Sequence, residues 1–257
     1  MRRRRPGHGD DRGTPQLNHE GIALEWGLEL GEPFALSRHS FVAPAGDAVF
    51  KLVPPEDDES AEEADALAVW DGNGAVRLLR HDRARRALLL ERAWPGTDLA
   101  DLAEEDATAA ATDLGSRLWT RGQSPGLSPF RSVHDHVPRW LANAANRELV
   151  PLAHEVYDQL EKRNDTLVHG DFHHHNILRS ERGWLAIDPK PMLGEPEYDV
   201  ASFLWNPLPC RLRTEHLETR LAAFTAAGLD EERIRMWTVI RGAYLQPQEA
   251  PALLALL

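Results

Sequence analysis

The segment His169-Gly170-Asp171-Phe172-His173-His174-His175-Asn176 constrains this chain most. It follows the β-forming run 166–168 and precedes Ile177-Leu178 and an apolar WLAI run that ends at Asp188. Asn176 lies five residues after Asp171, and Asp188 lies twelve after Asn176. A carboxylate, an amide oxygen and a second carboxylate therefore sit around one loop between two short strands. Phosphoryl transfer from a nucleotide needs such a set. One carboxylate orients the acceptor hydroxyl, and oxygen ligands hold Mg²⁺ against the phosphates, because Mg²⁺ is hard and prefers oxygen. Asp171 fits the first role. Asn176 and Asp188 fit the second, and an Asn binds without adding negative charge beside the phosphates. The three adjacent histidines offer imidazole, which suits Zn²⁺ or Ni²⁺. Sequence neighbours rarely converge on one ion, however, and the chain has a single cysteine, Cys210, to set beside them.

The rest of the chain divides around this segment. Residues 24–30, 40–44 and 48–53 read as short strands, with turns between them. An acidic run within 54–63 leads into a helix through Trp70, and 75–79 and 87–91 read as a strand pair. Pro95-Gly96 is a natural hinge. Beyond it, 98–121, 133–163, 215–227 and 231–244 carry apolar residues at helical spacing. This gives a tail at 1–21, disordered or starting from a misassigned Met1, a small β-rich lobe at 22–96 and a larger helical lobe at 97–257. The MRRRR start is not followed by the apolar stretch an export signal requires.

His-x-Asp-x-x-x-x-Asn is the spacing of a protein-kinase-like catalytic loop. HGDFHHHNIL, followed by WLAIDPKPMLGEPEYDVASFLWN, resembles the aminoglycoside phosphotransferase family, closest to its streptomycin 6-phosphotransferase and hydroxyurea-resistance kinase branch. The resemblance runs from about Trp26 to the C-terminus and is strongest at 167–206. It implies an α+β, protein-kinase-like fold with a small β-rich N-lobe that binds nucleotide and a mainly helical C-lobe. The implied activity is ATP- and Mg²⁺-dependent phosphorylation of a small-molecule hydroxyl. His169 then braces the loop, and Asp199 holds it from the following helix. His175 stands where the branch has Gly.

On this reading the N-lobe supplies a phosphate-binding lysine. Ala48-Val49-Phe50-Lys51-Leu52 alternates as a strand and places Val49 and Lys51 on one face; only three lysines occur in the chain, so this one stands out. Its partner belongs on the next helix. Glu62 and Glu63 both qualify; the family resemblance favours Glu63, leaving Glu62 as solvated surface. The loop at 31–40 has no GxGxxG, and Ser37 and Ser40 are its candidate phosphate contacts. Residues 87–96 resemble the branch's adenine hinge, with backbone groups of Glu91 and Ala93 facing the base.

Substrate residues are the least legible. Net charge is −12, from 41 acidic and 29 basic residues. This argues against broad nucleic-acid binding and suits a cationic partner. Asp135, Glu195, Glu197 and Glu215 are candidate acids, and Trp140, Trp205 and Trp237 either line a sugar pocket or fill the core. Lys190 either meets a phosphate or pairs with Glu195. No apolar run approaches a membrane span, nothing calls for an oxidising compartment, and no protein partner is implied, so a cytoplasmic location is expected. Besides an aminoglycoside kinase, the residues leave open a kinase of a sugar or amino alcohol and a non-catalytic nucleotide-binding pseudokinase. A protein kinase is disfavoured, because Asp188-Pro189-Lys190 stands in place of DFG.

Overall fold

The computed structural model describes residues 18–35, 40–57, 62–119, 130–144, 146–207 and 214–245. Residues 1–17, Ser37 and Cys210 lie outside the described residues. The first element corrects two expectations. His19–Trp26 is a helix, α1, where 24–30 was expected to be a strand, and it begins inside the expected tail. The Asn18 side chain accepts from the Gly21 N–H, and Gly27 closes the helix at φ 71°. These two end signals were readable in the sequence.

The small lobe holds a four-stranded antiparallel sheet of β1 (Phe41–Ala45), β2 (Ala48–Leu52), β3 (Leu78–Asp82) and β4 (Ala87–Glu91), in the order β1-β2-β4-β3. Alternation along β2 sorts its residues between two cores. Phe50 and Leu52 pack with Ile22 and Trp26 of α1. Val49 packs against the main core on the other side, which includes Leu67 and Trp70 of α2 (Glu63–Trp70). The strand expected at 75–79 begins later, at Leu78. Ala75 instead bridges to Ala186, and the Val76 N–H donates to the Ala186 carbonyl at 3.1 Å, stitching the lobes together.

The chain enters the larger lobe at β5 (Pro95–Asp98), two residues before the expected boundary. β5 joins β7 (Ile177–Ser180) and β8 (Gly183–Ala186) in one sheet. β6 (Thr166–Val168) pairs with β9 (Met192–Gly194) in another. The expected helix 98–121 is a 3-10 turn, Leu99–Asp101, followed by α3 (Glu104–Leu118). The run 133–163 splits into α4 (Val133–Ala142) and α5 (Val150–Gln159). α6 (Pro196–Trp205) is buried along its whole length, with α7 (Thr214–Ala226) and α8 (Glu231–Leu245) packed around it. Trp205 and Trp237 are core residues, and Trp140 stacks on Tyr244 at 4.8 Å.

Candidate active site

The loop between β6 and β7 is held by what lies behind it. Gly170 has φ +83°, and a Cβ there would stand 1.9 Å from the Lys190 carbonyl oxygen, so only glycine fits. The N–H groups of His169 and Gly170 donate to Oδ2 and Oδ1 of Asp199, both at 2.7 Å. Trp119 Nε1 donates to the same carboxylate at 2.8 Å. Asp199 is fully buried near the start of α6 and thus fixes the loop from below. His169 is fully buried as well, and burial pushes its pKa down. The Asp171 N–H donates to its Nδ1 at 3.3 Å, which puts the ring proton on Nε2, 3.0 Å from the Ile187 carbonyl. His169 is therefore a brace between the loop and the end of β8.

This frame presents Asp171 with its side chain 38% exposed. Asn176 Nδ2 donates to the Asp171 carbonyl at 3.0 Å and to its Oδ2 at 3.1 Å. Two acceptors on one side fix the orientation of the amide. Among the described residues no hydrogen bond uses Asn176 Oδ1, which is left as an oxygen donor. His173 Nε2 lies 3.4 Å from Asp171 Oδ2. Burial works against a charged Asp171, but the hydrogen bond and charge of His173, with His169 and Arg241, hold its carboxyl well below the usual range. The Ile187 N–H donates to the Asn176 carbonyl at 2.9 Å, so the β7–β8 hairpin brings Asn176 and Asp188 to the same end. A carboxylate and an amide oxygen are the hard donors Mg²⁺ takes, so the residues fit that ion.

Lys51 approaches from the small lobe. Its Nζ lies 2.6 Å from Glu63 Oε2 and 2.5 Å from Asp188 Oδ1. Lys51 is 4% exposed and Glu63 is fully buried, while the Asp188 side chain stays 44% exposed. Burial would lower the lysine's pKa, but the two carboxylates outweigh it and keep the ammonium charged; burial, with the charge of Asp188, pushes Glu63 up against the pull of Lys51. Glu62, expected to be solvated, instead faces Arg131 at 3.7 Å with 17% exposure. One helical step separates the two glutamates, and the phase of α2 decides between them. Glu63→Gln is expected to lower unfolding stability by about 2 kcal/mol. That is less than the roughly 3–5 kcal/mol of a buried pair broken outright, because Asp188 still faces Lys51. Denaturant titration checks this; a loss under about 0.5 kcal/mol is the size of an inert surface change and would remove the pair from the account of stability.

The expected hinge lies at the end of β4. The Glu91 N–H donates to the Arg77 carbonyl at 2.9 Å, and among the described residues no backbone bond uses the Ala93 N–H. Ser40 stands at the entry to β1 and half-buried, while 36–39 lie outside the described residues. Lys190 faces Asp57 at 3.5 Å and not Glu195. Three candidate substrate acids are engaged internally. Asp135 caps α4, Glu195 holds Arg233 and Trp237, and Glu197 accepts from the Asp230 N–H. The side chain of Glu215 lies outside the described residues. Two contacts were missed by the sequence reading. His175 Nδ1 lies 2.7 Å from Asp98 Oδ2, which ties the loop to the 3-10 turn. Arg241, buried in α8, donates to the Gly170 carbonyl at 3.3 Å.

Residues 37–245 match the model of the aminoglycoside/hydroxyurea antibiotic resistance kinase family. The chain is 37% identical over 234 residues to a hydroxyurea phosphotransferase of Kitasatospora aureofaciens, covering 84% of this chain and 67% of that one. It is 36% identical over 239 residues to a streptomycin 6-kinase of Streptomyces glaucescens, covering 85% and 78%. Its fold is similar to that of a thermostable mutant of the aminoglycoside phosphotransferase APH(4)-Ia, solved with ADP and hygromycin B. That match has a TM-score of 0.59 at 17% identity and covers 93% and 92% of the two chains.

Proposed function

The chain belongs to the aminoglycoside/hydroxyurea antibiotic resistance kinase family, and from that premise we propose that it transfers the γ-phosphoryl group of ATP to a hydroxyl of an aminoglycoside, streptomycin first. It is a small-molecule phosphotransferase with an alcohol acceptor and a protein-kinase-like fold. The observation that carries the proposal is one cluster. The part-exposed Asp171 carboxylate, held by Asn176 and His173, shares the β7–β8 hairpin end with Asp188, which pairs with the buried Lys51. Asn176 Oδ1 and Asp188 are the residues that would hold Mg²⁺, which when bound neutralises charge on the phosphates.

Asp171 accepts a hydrogen bond from the acceptor hydroxyl and aims its oxygen at the γ-phosphorus. A carboxylate is far too weak a base to take an alcohol proton in the ground state. The proton moves to Asp171 late, as the new O–P bond forms and the bond to the β–γ bridging oxygen breaks, leaving ADP. Lys51, fixed by Glu63, contacts the donor phosphates, and the backbone of Glu91 and Ala93 faces the adenine. Ser40 is the remaining phosphate contact.

ADP release by the purified protein with Mg-ATP tests this across streptomycin, other aminoglycosides, hydroxyurea and simple sugars. Release is expected with streptomycin and absent in Asp171→Ala. Release with hydroxyurea or a sugar alone would keep the phosphotransferase and replace the substrate. Silence across the panel with ADP still bound would favour the non-catalytic nucleotide binder.

A further inference from the structure

A side-chain contact made by Glu91 ties the parts of the expected site together. Arg182 sits at the tip of the β7–β8 hairpin, whose other end carries Asn176 on one side and Asp188 on the other. Its Nε and Nη2 donate to Oε1 and Oε2 of Glu91 at 2.8 and 2.6 Å, a two-pronged contact. Its Nη1 donates to the Gly72 carbonyl at 3.0 Å, just beyond the end of α2. Glu91 is clamped further, because its Oε2 also accepts from the Arg77 N–H at 2.9 Å. One guanidinium thus joins three segments: the end of β4, the end of the helix that carries Glu63, and the hairpin that carries Asn176 and Asp188.

We infer that Arg182 is a positioning residue that sets the backbone at Glu91 and Ala93 at a fixed distance from Asn176 and Asp188. The inference rests on the reading of those groups as the base and metal ends of a nucleotide site. A nucleotide must reach both at once, so its affinity depends on their separation. The hairpin is a suitable spacer, since four paired residues span about 13 Å of stiff ladder. Arginine is the residue for this, because its planar fork matches a carboxylate and still leaves a donor for Gly72. Arg182 and Glu91 are 31% and 20% exposed on their side chains. A solitary pair at such a surface changes an equilibrium by less than about fivefold. The shared Arg77 amide and the Gly72 carbonyl make this one a network, whose coupling is expected to reach about tenfold.

The test is calorimetric titration of the full chain with ADP, in EDTA and again with Mg²⁺, alongside thermal melts and ATP kinetics. Arg182→Gln and Glu91→Gln are each expected to weaken ADP about tenfold even in EDTA, and the double variant no further. Arg182→Lys, which keeps charge but loses the fork, is expected to recover little. KM for ATP should rise, with kcat and the acceptor KM within about twofold. Melting temperatures that fall while ADP affinity stays unchanged would overturn the inference, as would single effects that add in the double variant. Absence of ADP binding by the unaltered chain would remove the nucleotide reading and this inference with it.

Discussion

Asp171→Ala is expected to lower the turnover of phosphoryl transfer by about 10²–10⁴-fold, the range a positioned acid–base group contributes. The expectation comes from where the carboxylate stands. Asp171 is the part-exposed carboxylate of the loop, while His169, His174 and Asn176 are buried, and its Oδ2 is held by Asn176 Nδ2 at 3.1 Å. Removing it takes away the acceptor for the substrate hydroxyl while Lys51, Glu63 and Asp188 keep their contacts. ADP affinity should therefore stay within about threefold, and the loss should fall on kcat rather than on the KM for ATP. Asp171→Asn separates orientation from proton acceptance. It preserves the shape, so a much smaller loss in Asn than in Ala would mean that orientation dominates. A kcat in both variants within about tenfold of the unaltered enzyme would sink the role given to Asp171.

Asp199→Ala is expected to destabilise the fold by about 4 kcal/mol, because it strands two buried backbone N–H groups and an indole N–H, each worth about 1–3 kcal/mol unsatisfied. For a chain of this size that amounts to a fall of roughly 10 °C in melting temperature. Trp119→Phe supplies the control. It deletes one of the three donors and leaves Asp199 bound to His169 and Gly170 at 2.7 Å. Its hydrogen-bond loss should be about 1 kcal/mol. Differential scanning calorimetry of the three proteins decides it. An Asp199→Ala protein as stable as the Trp119→Phe protein would show that α6 does not hold the loop through this carboxylate. The same substitution should lower kcat, since His169 and Gly170 immediately precede Asp171.

Part of this site is legible along the chain because it is local. Asp171 and Asn176 are joined by a bond across five residues. Gly170 is dictated by its own φ and by the Lys190 carbonyl behind it, and Asp188 is delivered by a hairpin closed by a two-residue turn. Period-two alternation along 48–52 was enough to put Lys51 opposite the α1 face. Helix α1 is marked too, by Asn18 at its start and Gly27 at its end, although the apolar residues within 24–30 also suit a strand.

The sequence by itself determined which chemical groups are present and the order in which the local frame presents them: Lys51, then a glutamate at 62 or 63, then Asp171, Asn176 and Asp188. Only the tertiary structure decided which charges are spent on the fold. Glu195 and Glu197 read in the sequence as candidate substrate acids, yet Glu195 is closed on Arg233, 38 residues away, and Glu197 on the Asp230 amide. Arg182 stands in the turn of a hairpin, yet it meets Glu91 across 91 residues. The physical reason is that a buried charge must find a partner, and packing can supply that partner from anywhere in the chain. Spacing records neighbours within a turn or a hairpin, whereas the pairings across the core follow from how the helices and sheets pack.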